Sequence, residues 1–191
     1  MTSTAAEYDA GAIILAGGKS RRMGQNKCLL PYQGIPLIHH VANQLTPLFR
    51  EVLISSNEPN TYDFLGLPII GDDVIDQGPL MGIVSALTQS QHDWNLVVAA
   101  DIPEIPLPLI AELYENTQHH NCVVPITTTG QYQPLFAFYH RDVITPFRER
   151  IESGNGRVID AVNSAQKCEV PIPDGTLENL NTPAQYRNSL K

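Results

Sequence analysis

Cysteine is scarce in this sequence. The three residues, Cys28, Cys122 and Cys168, are odd in number and far apart. No two of them form a C-x-x-C pair. That excludes the spacing of a structural zinc site and of a disulfide-stapled scaffold, and the usage suits a reducing cytoplasm. No apolar run approaches the roughly 20 residues that a membrane span needs. The opening stretch MTSTAAEYDA has no basic segment followed by an apolar one, so it does not read as a secretory signal. Residues 1–10 are expected to be a mobile leader. Positive charge is also in short supply: 12 Lys and Arg stand against 20 Asp and Glu, for a net charge of −8. That balance argues against binding a long nucleic acid. The histidine pairs His39-His40 and His119-His120 are adjacent in sequence. Neighbours on a helix do not share a face, so neither pair makes a metal site by itself. No Ser-His-Asp or Cys-His arrangement suggests a nucleophilic side chain.

What the chain does have is an alternation of strand and helix patterns. A hydrophobic fraction of 42% and a charged fraction of 17% fit an ordinary globule. GAIILA (11–16) is a buried-strand pattern that stops at Gly-Gly. PLIHHVANQL (36–45) has apolar residues at helical spacing behind Pro36. EVLISS (51–56) and PII (68–70) read as strands, and PLMGIVSALTQS (79–90) as a helix. NLVVAA (95–100) is a strand ending at Asp101; PLPLIAELYENT (106–117) is a helix, and NCVVPI (121–126) a strand. Beyond these, QPLFAFY (133–139) and KCEVPI (167–172) read as strands, the latter at an edge. Residues 141–154 read as a helix that Pro146 should start or kink. Residues 182–190 read as a last helix with Thr182 as cap and Pro183 in its first turn. The order predicts an α/β fold, a three-layer α/β/α arrangement around a mostly parallel sheet, with residues 1–191 as one domain.

Four of the 12 cations, Lys19, Arg21, Arg22 and Lys27, fall within nine positions. In an acidic chain such a cluster points to a small anionic ligand. The segment LAGGKSRRMGQNK contains Gly-Lys-Ser, yet a P-loop needs a glycine at position 13, where Ile13 sits inside the strand. There is no G-x-G-x-x-G either. What remains is a strand running into a glycine-rich basic segment, whose backbone N–H groups can approach phosphate closely. Asp101, directly after a buried strand, is placed at the same sheet edge. It is either a Mg²⁺ ligand of the kind that works with substrate phosphates or a turn residue before Pro103. Asp72 in GDD has the same two readings. Gly78 and Gly82 flank the start of a helix, as a second backbone approach to ligand or as packing glycines. Arg157 and Asn181 are turn or cap residues that can also face an anion.

The segment LAGGKSRRMGQNKCLL resembles the signature L-A-[GA]-G-x-S-x-R-M-G-x-x-K of a group of Rossmann-like nucleotidyltransferases. With the Gly-Gly form, GPLMG, AADIP and NLNTP, the chain is similar to the molybdenum cofactor guanylyltransferases, the MobA family, over roughly residues 11 to 188. The resemblance implies the Rossmann-like sheet of the nucleotide-diphospho-sugar transferase type. It implies transfer of GMP from GTP to Mo-molybdopterin with release of pyrophosphate. It also implies that Leu15, Ala16, Gly17 and Gly18 contact the nucleotide and its phosphates, with Gly78 and Gly82 as further nucleotide contacts. Lys27 then meets the phosphates at the reaction centre, Ser55 and Asp72 lie near the guanine or ribose, Asp101 binds Mg²⁺, and Asn181 lies near metal or cofactor. Arg22, with Lys19 and Arg21, offsets charge on the substrates and the leaving group. Transient contact with other cofactor-biosynthesis proteins is expected; nucleic-acid and membrane contacts are not. The surroundings of Tyr132, Gln133, Pro134 and Arg157 are the candidate pterin site by position in the chain. Two alternatives are a nucleotidyltransferase using CTP and a non-catalytic nucleotide-binding module. One departure stands out: the family places Asp before the lysine, and this chain has Asn26.

Overall fold

The computed structural model describes residues 8–17, 26–180 and 185–187. Its centre is a seven-stranded sheet. The first strand, β1 (Tyr8–Leu15), begins three residues before the apolar run, inside the expected leader. The reason is aromatic packing. Tyr8 lies 5.3 Å from Phe49 and 5.0 Å from Tyr114, ring centre to ring centre, and its N–H donates to Leu48 O at 2.9 Å. After a short hairpin of β2 (Pro31–Tyr32) and β3 (Ile35–Pro36), helix α1 (Leu37–Leu45) leads to β4 (Phe49–Ser55). The one-turn helix α2 (Pro59–Tyr62) precedes the short β5 (Ile69–Ile70). Helix α3 (Pro79–Gln89), β6 (Trp94–Ala99), α4 (Leu107–Glu115) and β7 (Cys122–Thr127) follow the expected alternation.

The last third differs more. β8 (Phe136–His140) begins beyond Pro134, which has no N–H to give a ladder. Pro146 falls in the first turn of α5 (Ile144–Glu152) and starts the helix rather than kinking it. The stretch after Arg157, for which the sequence pattern predicts no element, is helical, α6 (Val158–Ser164), with Arg157 at its N-cap. β9 (Lys167–Ile172) is an edge strand, as its pattern suggests. Of the expected last helix, residues 185–187 are helical; Thr182, Pro183 and Asn181 lie outside the described residues.

Sheet order is β5-β4-β1-β6-β8-β7-β9, and all neighbouring pairs are parallel except those made by β8. Alternation along each strand divides the core into two layers. Ala12, Ile14, Val52, Ile54, Leu96 and Val98 pack under α1 and α4. Ile13, Leu53, Val97 and Tyr139 pack under α3, α5 and α6. Strands buried on both faces read as unbroken apolar runs, which is what GAIILA and NLVVAA are. The three-layer α/β/α arrangement follows.

What this topology does for function is set by β1. It lies between β4 and β6, so the chain leaves it toward one side of the sheet and later returns on the other. Open α/β sheets bind ligands at such a reversal, beyond the carboxyl ends of the strands. The ladder continues past the strand ends there: Ala16 N–H donates to Ser55 O at 2.9 Å and Ala100 N–H to Leu15 O at 3.0 Å.

The far half of the sheet yields a stability test. Cys122 is fully buried in β7, and burial pushes its thiol up to about 12 from an ordinary value of 9.0. A folded-state value above the unfolded one means its contribution is complete below pH 9 and is lost as pH rises toward 12. Urea unfolding from pH 7 to 10 is expected to show a flat stability that declines above pH 9, by up to about 1.4 kcal/mol per pH unit from this group. Cys122→Ala should flatten the decline between pH 9 and 10. An unchanged slope contradicts the assignment.

Candidate active site

Beyond the ends of β1, β4 and β6 lies a cleft of about 710 Å³. Its floor is the end of β1. Leu15, Ala16 and Gly17 line it, and a Cβ placed on Gly17 would meet nothing within 4 Å, so the backbone there faces open space. The chain is described again from Asn26. Asn26 Oδ1 accepts the Cys28 N–H at 3.1 Å and caps a single 3₁₀ turn, Lys27–Leu29. That turn aims Lys27 across the cleft. Its ammonium donates to Asp101 Oδ2 at 2.6 Å, and the two side chains are 16% and 18% exposed.

Asp101 is a turn residue, and it also lines the cleft. The turn after β6 closes with Ile102 N–H on Ala99 O at 3.1 Å, and the carboxylate lines the cleft. The C-terminal segment fixes it from behind, as Leu180 N–H donates to Asp101 O at 2.9 Å. The residue before, Asn179, lines the same cleft with a buried Oδ1 that has no hydrogen-bond partner among the described residues.

The opposite wall is built from β4 and the start of α3. Ser55 is buried at the end of β4. Asp72 is held by Asn57 on two sides: Asn57 Nδ2 donates to Asp72 Oδ2 at 2.8 Å, and Asp72 N–H donates to Asn57 Oδ1 at 2.7 Å. The next residue anchors the same loop, with Asp73 N–H on Ser85 Oγ and Arg148 on Asp73 Oδ2, both at 2.9 Å. Gly78 caps α3 with φ 80° and ψ −175°, a conformation that essentially only glycine populates. It brings the N-terminus of α3 to the cleft, where the helix dipole favours an anion; Pro79 has no N–H, and Met81 N–H donates to Gly78 O at 3.2 Å. A Cβ on Gly82 would lie 2.6 Å from Ser55 Oγ and 3.3 Å from Asp72 Oδ1, so the three residues meet at one point.

Nine expected site residues thus line one cleft: Leu15, Ala16, Gly17, Lys27, Ser55, Asp72, Gly78, Gly82 and Asp101. Gly18, Lys19, Arg21, Arg22 and Asn181 lie outside the described residues. Tyr132, Gln133, Pro134 and Arg157 do not line the cleft, although their neighbour Leu135 does. Tyr132 hydrogen-bonds Glu169, and Arg157 stands 3.8 Å from Asp160 at the start of α6. Sequence reasoning missed Asn57, Tyr62 and Asn179. Their signal is weak, since an asparagine after a strand and a tyrosine in a polar stretch usually belong to turns.

Among the described residues of the cleft, Cys28 and Tyr62 are not activated as nucleophiles. Burial pushes the Cys28 thiol and the Tyr62 hydroxyl above their ordinary values, which keeps both neutral. No group of three or more His, Cys, Asp or Glu side chains gathers to hold a metal among the described residues. No helix among them is long and apolar enough to cross a membrane. The arrangement instead gathers the glycine backbone at the end of β1, a helix N-terminus and an ammonium around a space of nucleotide size. Such a site suits phosphates, and on a sheet of this topology it points to nucleotidyl transfer.

Comparison with known proteins narrows the class. Residues 12–167 match the family described as the MobA-like NTP transferase domain. A molybdenum cofactor guanylyltransferase of Syntrophotalea carbinolica is 34% identical over 145 residues, covering 75% of this chain and 69% of that protein. One from Pseudomonas putida is 30% identical over 181 residues, covering 92% and 95%. Among solved structures, the molybdopterin-guanine dinucleotide biosynthesis protein A of Archaeoglobus fulgidus superposes with a TM-score of 0.78 at 20% identity, over 94% of this chain and 96% of that one. The chain belongs to the MobA-like NTP transferase family.

The contact at Gly82 gives a direct test of the wall. Ala at 82 gains about 0.5–1 kcal/mol of intrinsic helix preference, yet its methyl must displace Ser55 and Asp72. Gly82→Ala is expected to keep its thermal unfolding within a few degrees of wild type while nucleoside triphosphate affinity, measured by calorimetry, falls by about ten-fold or more. Wild-type affinity contradicts the placement of the nucleotide against this wall.

Proposed function

We propose that this protein transfers GMP from GTP to the phosphate of Mo-molybdopterin, releasing pyrophosphate. The observation that carries the reading is the Lys27–Asp101 pair, 2.6 Å apart at the floor of the cleft. An oxygen of the molybdopterin phosphate forms a bond to the α-phosphorus of GTP. The bond from that phosphorus to the bridging oxygen breaks, and pyrophosphate leaves with the electron pair. Two anions meet in this reaction, so the barrier is largely electrostatic and fixed donors are the main lever. The attacking group belongs to the substrate, in keeping with the neutral Cys28 and Tyr62.

Each wall then has a role. The Ala16–Gly17 backbone lets phosphates lie close to the sheet end. Lys27 moves from Asp101 onto the phosphates when they arrive, exchanging one charge-assisted hydrogen bond for another. Ser55 and Asp72, the latter set by Asn57, face the nucleoside. Gly18, Lys19, Arg21 and Arg22 continue the phosphate-binding segment, with Arg22 as a further catalytic cation. The residues fit a Mg²⁺ ion: it takes oxygen ligands, and Asp101 with the unpartnered Oδ1 of Asn179 supplies two in the cleft. Bound there, Mg²⁺ supplies Lewis-acid polarisation of the α-phosphoryl oxygen. We read residues 1–191 as one catalytic domain. We place the reaction in the cytoplasm, in keeping with three separate free cysteines, and take GTP and Mo-molybdopterin as its partners.

Pyrophosphate release from GTP, Mg²⁺ and Mo-molybdopterin tests the proposal. Wild type is expected to turn over with GTP in a Mg²⁺-dependent way and much more slowly with CTP. Asp101→Ala and Lys27→Ala are each expected to retain native circular dichroism and lose about 10²–10³-fold in kcat. Near-normal turnover in either variant removes that residue from the reaction. Faster turnover with CTP reassigns the base, and no turnover with either leaves a nucleotide-binding module.

A further inference from the structure

Tyr62 is 1% exposed and sits at the end of α2. Its hydroxyl joins two places that the chain visits before and after the phosphate-binding segment. It donates to the Ala16 carbonyl oxygen at 3.2 Å, and it accepts from Asn26 Nδ2 at 3.0 Å. A tyrosine has one proton to give; Asn26 Oδ1 at 3.4 Å is a second, longer acceptor for it, so the Ala16 carbonyl is the nearer of the two and the oxygen still accepts from Nδ2. Asn26 meanwhile uses its Oδ1 for the Cys28 N–H at 3.1 Å, the cap on the turn that carries Lys27. The backbone at Ala16 and the turn at Lys27 are thereby tied through one buried side chain 36 residues beyond Asn26.

We propose that Tyr62 and Asn26 form a clasp that holds the end of β1 and the turn carrying Lys27 in register. They act as positioning residues for the Ala16–Gly17 backbone and for Lys27. The clasp itself stands on these hydrogen bonds; what it serves rests on the nucleotidyl-transfer reading above. Tying the end of β1 to the Lys27 turn fixes these two parts of the cleft before the ligand arrives, which leaves less ordering cost to binding. The amide at position 26 suits the task because it donates to Tyr62 and accepts from Cys28 at once. A carboxylate can only accept. It would draw the Tyr62 proton from Ala16 and add a negative charge to a cleft that already holds Asp101. The family's expected Asp would thus keep half of the clasp.

Trypsin provides a readout that needs no ligand, since Lys19, Arg21 and Arg22 lie in sequence between the end of β1 and the Lys27 turn. Cleavage at these three positions is followed by mass spectrometry in the full chain. Tyr62→Phe and Asn26→Ala are each expected to be cut about 5–10-fold faster than wild type, the range that follows from leaving buried polar groups unpaired. The double variant should be cut no faster than about 10-fold, because the two residues act as one unit. Asn26→Asp should stay within about 3-fold of wild type, as it keeps the cap and a bond to Tyr62. Tyr139→Phe is the control: it removes another largely buried hydroxyl, which donates to Pro134 O at 2.7 Å away from the cleft, and should change nothing. With GTP and Mg²⁺, Tyr62→Phe should raise KM for GTP by the same 5–10-fold while kcat at saturation stays within about two-fold. Wild-type cleavage and KM in Tyr62→Phe overturn the clasp. So does a double variant showing the product of the single effects, or an equal effect in Tyr139→Phe. If GTP fails to bind wild type, the guanylyltransferase reading fails, and the ligand-free cleavage rates still decide the clasp.

Discussion

The ion pair between Lys27 and Asp101 joins positions 74 residues apart in the chain, and the rest of the site is arranged so that they can meet. Strand order makes it possible. With β1 between β4 and β6, the segment after β1 and the turn after β6 open into one crevice. Local hydrogen bonds then set the angle from both sides: the Asn26 cap under Lys27 and the Leu180 N–H behind Asp101. Either charge alone in this shielded cleft would be costly, and each offsets the other. In the proposed reaction a polyphosphate would offer Lys27 a new anion and free the carboxylate for a cation.

The second wall follows a different constraint, that of close approach. Helix α3 must come near enough to β4 for its first turn to touch Ser55 and Asp72, and a methyl at position 82 would be too much. The loop carrying Asp72 is exposed, so its position comes from side chains that reach out to it: Asn57, Ser85 and Arg148. Rigid strand ends supply the floor, and a hydrogen-bonded loop supplies the side.

Much of this is legible in the sequence, for identifiable reasons. GAIILA, EVLISS and NLVVAA are buried on both faces, so their apolar runs mark the strands, and the polar or small residues that end them mark the cleft. Gly78-Pro79 announces the start of α3; the basic segment after Gly17 lies outside the described residues until Asn26. The failures have physical causes too. β1 starts at Tyr8 because Phe49 and Tyr114 are brought to it by the fold, which no local pattern records. α6 was hidden because Asn155, Gly156 and Arg157 read as a turn, which they are, with a helix directly behind. Asn57, Tyr62 and Asn179 act through partners 15 or more residues away or through a single buried atom, and spacing carries no trace of that.

Asn26 illustrates how a departure from a family pattern can be resolved by geometry. As a lost acid it would weaken the case for catalysis. In the fold it caps the turn of Lys27 and meets Tyr62, so the position serves placement rather than proton transfer. The central claim, that one cleft brings the α-phosphate of GTP to Lys27 and Asp101, is tested most directly by a crystal structure with GTP and Mg²⁺ bound. The account predicts the α-phosphate within hydrogen-bonding distance of Lys27 Nζ, the metal on Asp101 and Asn179, and the guanosine against Ser55, Asp72 and Gly82. A triphosphate bound elsewhere, or a metal that leaves Asp101 paired with Lys27, would contradict it.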